Sequence, residues 1–456
     1  ARARARLRGP AANASSALAR HASRPGGLSN DAPPPRPLAN DSRALSLIFL
    51  SDDMIPADDD ASSGNDYAQL AKLTASDSAA YDEFGRSVAI DGDTVVVGAY
   101  YDSHSNDFEL GSVYVFRTTD GGATFAEVAK LTASDAAASD SFGWSVAVDG
   151  GTVVIGAYGD DDAGSSSGSV YIFRTSDGGA TYDEVAKLTA ADAAATDFFG
   201  KSVAISGDVV VAGASGDDSI AYNAGSVYVF RTSDGGATYA QVAKLTAADA
   251  AASDFFGYSV AIDGDTVAIR GDGSVYIFRT TDDGGTWSQV AKLVTSDGVF
   301  ISHVAISGDV VVAGASGDGS IASNAGSVYV FRTTDGGATY AQVAKLTAAD
   351  AAAGDTFGSS VAIDGNTIVI GAEYDDGVGS ASGSAYVFLT TDGGATYDQL
   401  AKFTASDAAA SDNFGGSVAI DGGTVAVGAW GDDHGSGGGS GSAYVFALPA
   451  PTDYAE

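Results

Sequence analysis

Fifty-nine aspartates and glutamates, four histidines and no cysteine set the chemistry open to this 456-residue chain. Carboxylate pairs can serve as general acid and base, as in glycoside hydrolysis, and runs such as Asp160-Asp161-Asp162 supply them in abundance. Nothing in their spacing singles out two carboxylates for opposite roles. The sequence has no nucleophile elbow, no phosphate-binding P-loop and no metalloprotease histidine pair. Without cysteine there is neither disulfide nor thiolate metal site. His104 and His434, with Asp102, Asp432 and Asp433 nearby, have the ligand types of a transition-metal site. They become neighbours only if the two ends of the repeat region meet. Loop histidines beside carboxylates are usually just solvated, so no cofactor is expected.

The elements that position these side chains come from a repeat. Phenylalanines that open a near-identical segment recur at Phe84, Phe142, Phe199, Phe256, Phe300, Phe357 and Phe414, in steps of 58, 57, 57, 44, 57 and 57 residues. Each full period holds four strand-like runs, in the second repeat "SVAV", "TVVIGA", "GSVYIF" and "YDEVAKLTA". The "DGG" or "DGD" between the first two is a two-residue hairpin signal in which glycine supplies the positive φ. The second run is apolar without alternation, as at Val95 to Val97, which implies burial on both faces. Seven periods of four antiparallel strands describe an all-β, seven-bladed β-propeller.

Residues 67–75, "YAQLAKLTA", form a fourth-strand segment ahead of the first period, while the last period stops after its third strand at Phe446. The first orphan supplies what the other end lacks. Residues 67–75 are therefore expected to pair with the strand ending near Phe446 and to close the ring. The organisation expected is a disordered Arg/Ala/Pro-rich leader over 1–45, an acidic linker over 46–66, the propeller over 67–446 and a tail over 447–456.

"FGRSVAIDGDTVVVGA" and its siblings resemble the FG-GAP repeat, the unit of the seven-bladed propeller at the amino end of integrin α subunits and of many algal and bacterial surface proteins. The resemblance covers residues 67–446 and implies recognition or adhesion outside the cell. It does not carry over the integrin-type calcium sites. Those need a long Asp-rich loop between strands one and two, whereas this chain has only Asp91-Gly92-Asp93 or its equivalents, too short to supply six to eight oxygens. The hairpin between strands three and four, "TTDGGATF" at 118–125, resembles the Asp-box of sialidases. Turn chemistry accounts for it locally, since the Asp120 or Asp177 carboxylate can accept turn amides.

Near-identical blades expose the positions that the fold does not hold. After Phe-Gly stand Arg86, Trp144, Lys201, Tyr258, Ser302, Ser359 and Gly416, and after Gly-Ala stand Tyr100, Tyr158, Ser215, Ser316, Glu373 and Trp430. Both sets fall on the face formed by the two-to-three and four-to-one loops. That face is aromatic over blades seven, one and two. Blade four lacks Gly-Ala and contracts its two-to-three loop to "RGDG" at 270–273, which predicts a notch lined by Arg270, Asp272, Phe300 and His303. Aromatics beside acidic loops suit stacking on sugars or anchoring a protein; drift at unconstrained loop positions would look the same. The arginines at 117, 174, 231, 279 and 332 and the lysines at 72, 130, 187, 244, 292, 345 and 402 are periodic and read as architectural.

The net charge is −36, and residues 1–45 hold eight arginines against Asp31 and Asp41, leaving 15 basic and 57 acidic residues, −42, for the rest. A body of that charge repels phosphate backbones, so nucleic acid is not an expected partner. The acidic loops would attract calcium only loosely, on the order of millimolar affinity. No run reaches a membrane span. The reading is a monomeric, non-catalytic recognition or adhesion propeller, extracellular or at the cell surface, with a glycan or protein ligand. A structural wall or matrix component and a glycan hydrolase on a propeller scaffold are the alternatives.

Overall fold

The computed structural model describes residues 67–103, 109–282, 284–434 and 437–449. The leader and linker expected over 1–66 lie outside it, as do His104 and the end of the tail. The described residues form 28 strands in seven four-stranded antiparallel sheets, with no helix among them. Each sheet is a blade whose first strand lines a central channel.

The strand patterns follow from position in the blade. In blade one the second strand, Thr94–Ala99, is buried at all six positions and the third, Ser112–Arg117, at five. Both are sandwiched between neighbouring blades. The outer strand, Ala126–Leu131, keeps its first residue exposed and buries only its last. There is accordingly no single core. Seven apolar clusters each bridge two blades; one joins Val113, Val115 and Leu131 of blade one to Phe142, Val153, Ile155 and Tyr171 at blade two.

Closure occurs as the orphan segments require. Gln69–Leu73 pairs antiparallel with Ser442–Ala447, matching Lys72 to Tyr444 and Leu73 to Ala443, and completes blade seven as its outer strand. It carries the bulge found between third and outer strands in the other blades. A seventh cluster, with Leu73, Ala443 and Val445 on one side and Phe84, Val95 and Val97 on the other, seals blade seven to blade one.

The two glycine motifs meet across the blade boundary. A Cβ added at Gly98, Gly156, Gly213, Gly314, Gly371 or Gly428 would lie 1.9–2.2 Å from the carbonyl oxygen of the Phe-Gly glycine in the next blade. The glycine of Gly-Ala thus exists to let that carbonyl in. In blade four this place is taken by Arg270: its N–H donates to the Ser259 carbonyl and its carbonyl accepts from Gly257, as Gly98 accepts from Gly85.

The next blade is altered to match, which corrects the alignment of Phe300 and Ser302. Phe300 is 59% exposed, and Ile301 fills the core position that phenylalanine holds in the other blades. The Ser302 N–H donates to Gly314, as that of Gly143 does to Gly156. His303 pairs with Gly314 as Ser87 does with Gly98. Blade five is one residue shorter here, so Ser302 stands in the Phe-Gly glycine's place and nothing corresponds to Arg86.

Candidate functional site

Most of the acidity has a structural occupation. Lys187 lies 2.7 Å from Asp135, 2.8 Å from Asp160 and 2.5 Å from Asp162. The Tyr171 hydroxyl donates to Asp135 and Asp160, and the ammonium sits 5.2 Å from that tyrosine's ring centre. Asp135, Asp160 and Asp162 are close enough to hold a cation, but the lysine ammonium is already among them. Every outer-strand lysine has at least two aspartates in this way, including Lys72 on the closing strand, paired with Asp407 and Asp432. Arg117, Arg174 and Arg279 reach the next blade: the Arg117 guanidinium donates to Thr94 of its own blade and to the carbonyl of Gly178 in the next. In the hairpins, Asp120 accepts the Thr124 N–H and hydroxyl and is held down at about 2 by those bonds.

This arrangement bears on the histidine-aspartate pair. The Asp432 carboxylate is engaged by Lys72 and Tyr444, and Asp433 accepts the Gly439 amide. His434 Nδ1 sits 3.1 Å from the Ser440 hydroxyl, and burial pushes its pKa down. A metal at this position would have to displace the Lys72 ammonium from Asp432.

A second set of aspartates makes the ring less stable as pH rises toward neutrality. Asp82, Asp140, Asp197 and Asp412 are buried, each accepting the N–H three residues earlier, and burial pushes each up to about 6. A carboxyl whose folded pKa exceeds its unfolded value of 3.8 favours the protonated fold. Its contribution is therefore present at low pH and is lost as pH rises through about 6. Asp135 and Asp192 act oppositely: burial raises them, yet lysine and tyrosine hold them below the ordinary value, so their contribution fades in strong acid. Thermal stability is expected to peak between about pH 4 and 6. Asp140→Asn should raise stability at pH 7.5 by about 1–3 kcal/mol and flatten the slope between pH 7.5 and 5. A melting temperature that does not change over that interval in the unsubstituted protein would count against this account.

The blades diverge at the mouth of the channel. The first strands place Ser87, Ser145, Ser202, Ser259, Ser360 and Ser417 in its wall, with His303 in the seventh place, around a cavity of about 380 Å³. Five of these serines, at 87, 145, 202, 360 and 417, donate their hydroxyls to a glycine carbonyl of the next blade. Above them Arg86, Trp144, Lys201 and Tyr258 alternate cation and ring. The Arg86 guanidinium is 5.2 Å from the Trp144 ring centre and 5.5 Å from that of Trp430. The Lys201 ammonium is 5.3 Å from Trp144, 4.8 Å from Tyr158 and 5.6 Å from Tyr258. The Arg270 guanidinium continues the belt, 5.0 Å from Tyr258 and 4.6 Å from Phe300. Edge-on contacts at 4.8 Å fix Trp144 between Tyr100 and Tyr158.

The electrostatics of the mouth are those of a confined positive site. Burial pushes Lys201 down, and the Arg86 charge adds to it. His303 is pushed down to about 4 by burial, then by Arg270 and Arg86, so its ring is neutral at pH 7. Burial raises Glu373 against the pull of Arg86, and the Trp430 indole N–H donates to its carboxylate at 3.4 Å. Rings with cations on their faces, one carboxylate and a neutral imidazole can hold a polar ligand by stacking and charge.

Of the residues singled out in the sequence, the fold brings Arg86, Trp144, Tyr158, Lys201, Tyr258 and Trp430 to one mouth. Tyr100 is buried behind Trp144. Arg270, 6% exposed, supports the belt from beneath, its Nε donating to the Ile301 carbonyl. Asp272 turns outward to Lys292, and His303 lies inside the channel, so the four residues expected to line a notch do not share one. The mouth also holds two residues that sequence reasoning does not place there, Glu373 beside Trp430 and Phe198, whose ring centre lies 5.4 Å from the Lys201 ammonium. Their signal was available in principle, Glu373 as the acid among the residues after Gly-Ala and Phe198 as an aromatic before Phe-Gly.

Two solved structures, titled "Crystal structure of RRP9 WD40 repeats" and "Structure of U3-55K", superpose with a TM-score of 0.53 each, at 13% and 14% identity. Each alignment covers 83% of this chain and 98% of the other. At such identity the likeness is one of fold. No curated protein matches the chain. The FG-GAP repeat model matches seven times, over residues 67–116, 125–173, 182–230, 239–278, 287–331, 340–388 and 397–446. With those seven matches laid on seven blades whose glycines interlock across each regular boundary, the chain belongs to the FG-GAP repeat family.

Proposed function

We propose that this propeller is a non-catalytic recognition module that binds a glycan or protein ligand, outside the cell, on the face formed by the two-to-three and four-to-one loops. The observation that carries the reading is the alternating belt of cations and rings from Trp430 through Arg86, Trp144, Lys201 and Tyr258 at the channel mouth. Elsewhere the blades repeat one another almost residue for residue, and the fold needs no aromatic at these positions: Ser359 and Gly416 serve in blades six and seven. The family resemblance to adhesion propellers supports an extracellular setting. Among the described residues no helix is long and apolar enough to cross a membrane.

The test is a screen of glycan arrays and purified extracellular proteins, with and without calcium, using the unsubstituted chain and Trp144→Ala, Tyr158→Ala and Trp430→Ala variants. The variants should weaken binding about tenfold or more while leaving the fold intact. Binding that survives all three substitutions would show that the mouth is not the recognition surface.

A further inference from the structure

We infer that the channel mouth recognises an oxyanion, a carboxylate or sulfate carried on a sugar, seated against Trp144 between Arg86 and Lys201. This rests on the reading of the mouth as the recognition surface and names the chemistry that the surface selects. The first observation concerns charge. In a body with 57 acidic residues, each of the seven outer-strand lysines has at least two aspartates within 4.0 Å. Among the described residues, Arg86 and Lys201 have no carboxylate at that distance. They are held instead over ring faces, on the same Trp144. Two like charges flanking one ring, partly withdrawn from water, repel each other, and an anion between them relieves both the repulsion and the desolvation.

The second observation is independent of those cations. His303 interrupts a wall of serines, and its Nδ1 is buried with no hydrogen-bond partner. A buried polar atom without a partner is costly and invites an external one. As the neutral Nδ1–H tautomer the ring would donate to an oxyanion, and as the other tautomer it would accept from a hydroxyl. The serine hydroxyls at 87, 145 and 202 are already spent on glycine carbonyls. Ser259 accepts the Val304 N–H, and the imidazole is the wall side chain whose buried nitrogen has no partner.

The remaining features fit an acidic sugar better than a bare ion. Glu373, beside Trp430, can accept hydroxyl protons and would repel a second negative group on that side. The cavity of about 380 Å³ admits a sugar-sized ligand.

The experiment uses the full chain and three probes of equal length: a uronate oligosaccharide, a sulfated neutral oligosaccharide and the unsulfated neutral parent. Affinity is measured by calorimetry at two salt concentrations. The uronate or the sulfated probe should bind about tenfold or more tighter than the neutral parent, and less tightly at high salt. Lys201→Met and Arg86→Gln should each remove most of that preference. The His303 ring signals should move on adding the acidic probe, a change that a structural effect of either substitution would not produce. Preference for the uronate identifies a carboxylate as the ligand group, and preference for the sulfated probe a sulfate. Equal binding of acidic and neutral probes, still lost in Trp144→Ala, overturns the oxyanion while sparing the recognition surface. Binding of proteins alone, with all three sugars inert, overturns it as well.

Discussion

Truncation that removes residues 1–76 is expected to abolish the cooperative melting of the ring and to produce aggregates. The cut takes away the outer strand of blade seven, and with it Leu73, which is 3% exposed in the cluster joining blades seven and one. It frees Asp407 and Asp432 from Lys72 and strips the Ser406 amide of its acceptor, the Gln69 side chain. Burying one leucine is worth about 1.5–3 kcal/mol, and each ladder hydrogen bond about 1 kcal/mol. The sum, about 5–8 kcal/mol, is comparable to the whole stability of an ordinary domain, about 5–15 kcal/mol. The cut also bares the edge of Ser442–Ala447, a template for pairing with another chain. Calorimetry and light scattering of the truncated chain provide the check. A single sharp transition at the original temperature, without aggregation, would mean that the ring does not depend on this strand.

Gly156→Ala is expected to cost about 3–5 kcal/mol, an unusual price for one methyl group. The added Cβ would lie 1.9 Å from the Gly200 carbonyl oxygen and 2.4 Å from the Ser145 hydroxyl. The serine can rotate; the carbonyl belongs to the backbone of the next blade and moves only if blades two and three separate. Ordinary overpacking costs about 1–3 kcal/mol because side chains absorb it. Gly317→Ala is the control: its Cβ meets nothing within 4 Å and its backbone is not left-handed. That variant should stay within about 0.5 kcal/mol of the parent. Urea denaturation of both decides the matter, and equal midpoints would refute the interlock.

The parts of this architecture that recur along the chain were legible in the sequence. Period, strand number, the DGG hairpins and the closing pair of orphan segments all repeat at fixed intervals, and a repeat reports itself. What escaped lies across blade boundaries, where hydrogen-bond partners in consecutive blades can stand 41–61 residues apart and no local pattern links them. Arg270 and the lost residue before His303 read in one dimension as two separate irregularities. In three dimensions they are one substitution, because the carbonyl that Gly-Ala admits belongs to the following blade. Phe300 misled for a simpler reason: a phenylalanine at nearly the right spacing outranks an isoleucine one step on, although Ile301 is the residue the core takes. The candidate binding residues were found by comparing blades. Their alternation of charge and ring was not, since it comes from neighbours in different periods.

The register of the closing pair has a mechanical corollary. Gln69 faces Phe446 and Leu73 faces Ala443, so the segments leading away from residues 69 and 447 leave from the same end of one antiparallel ladder. A pull applied through those two segments loads the rungs one at a time, peeling them in succession as a zipper does. Shear, which strains all rungs together, would need the loads at opposite ends. Held taut between two attachments, the ring is built to yield first at its own clasp, with the other six blades still folded.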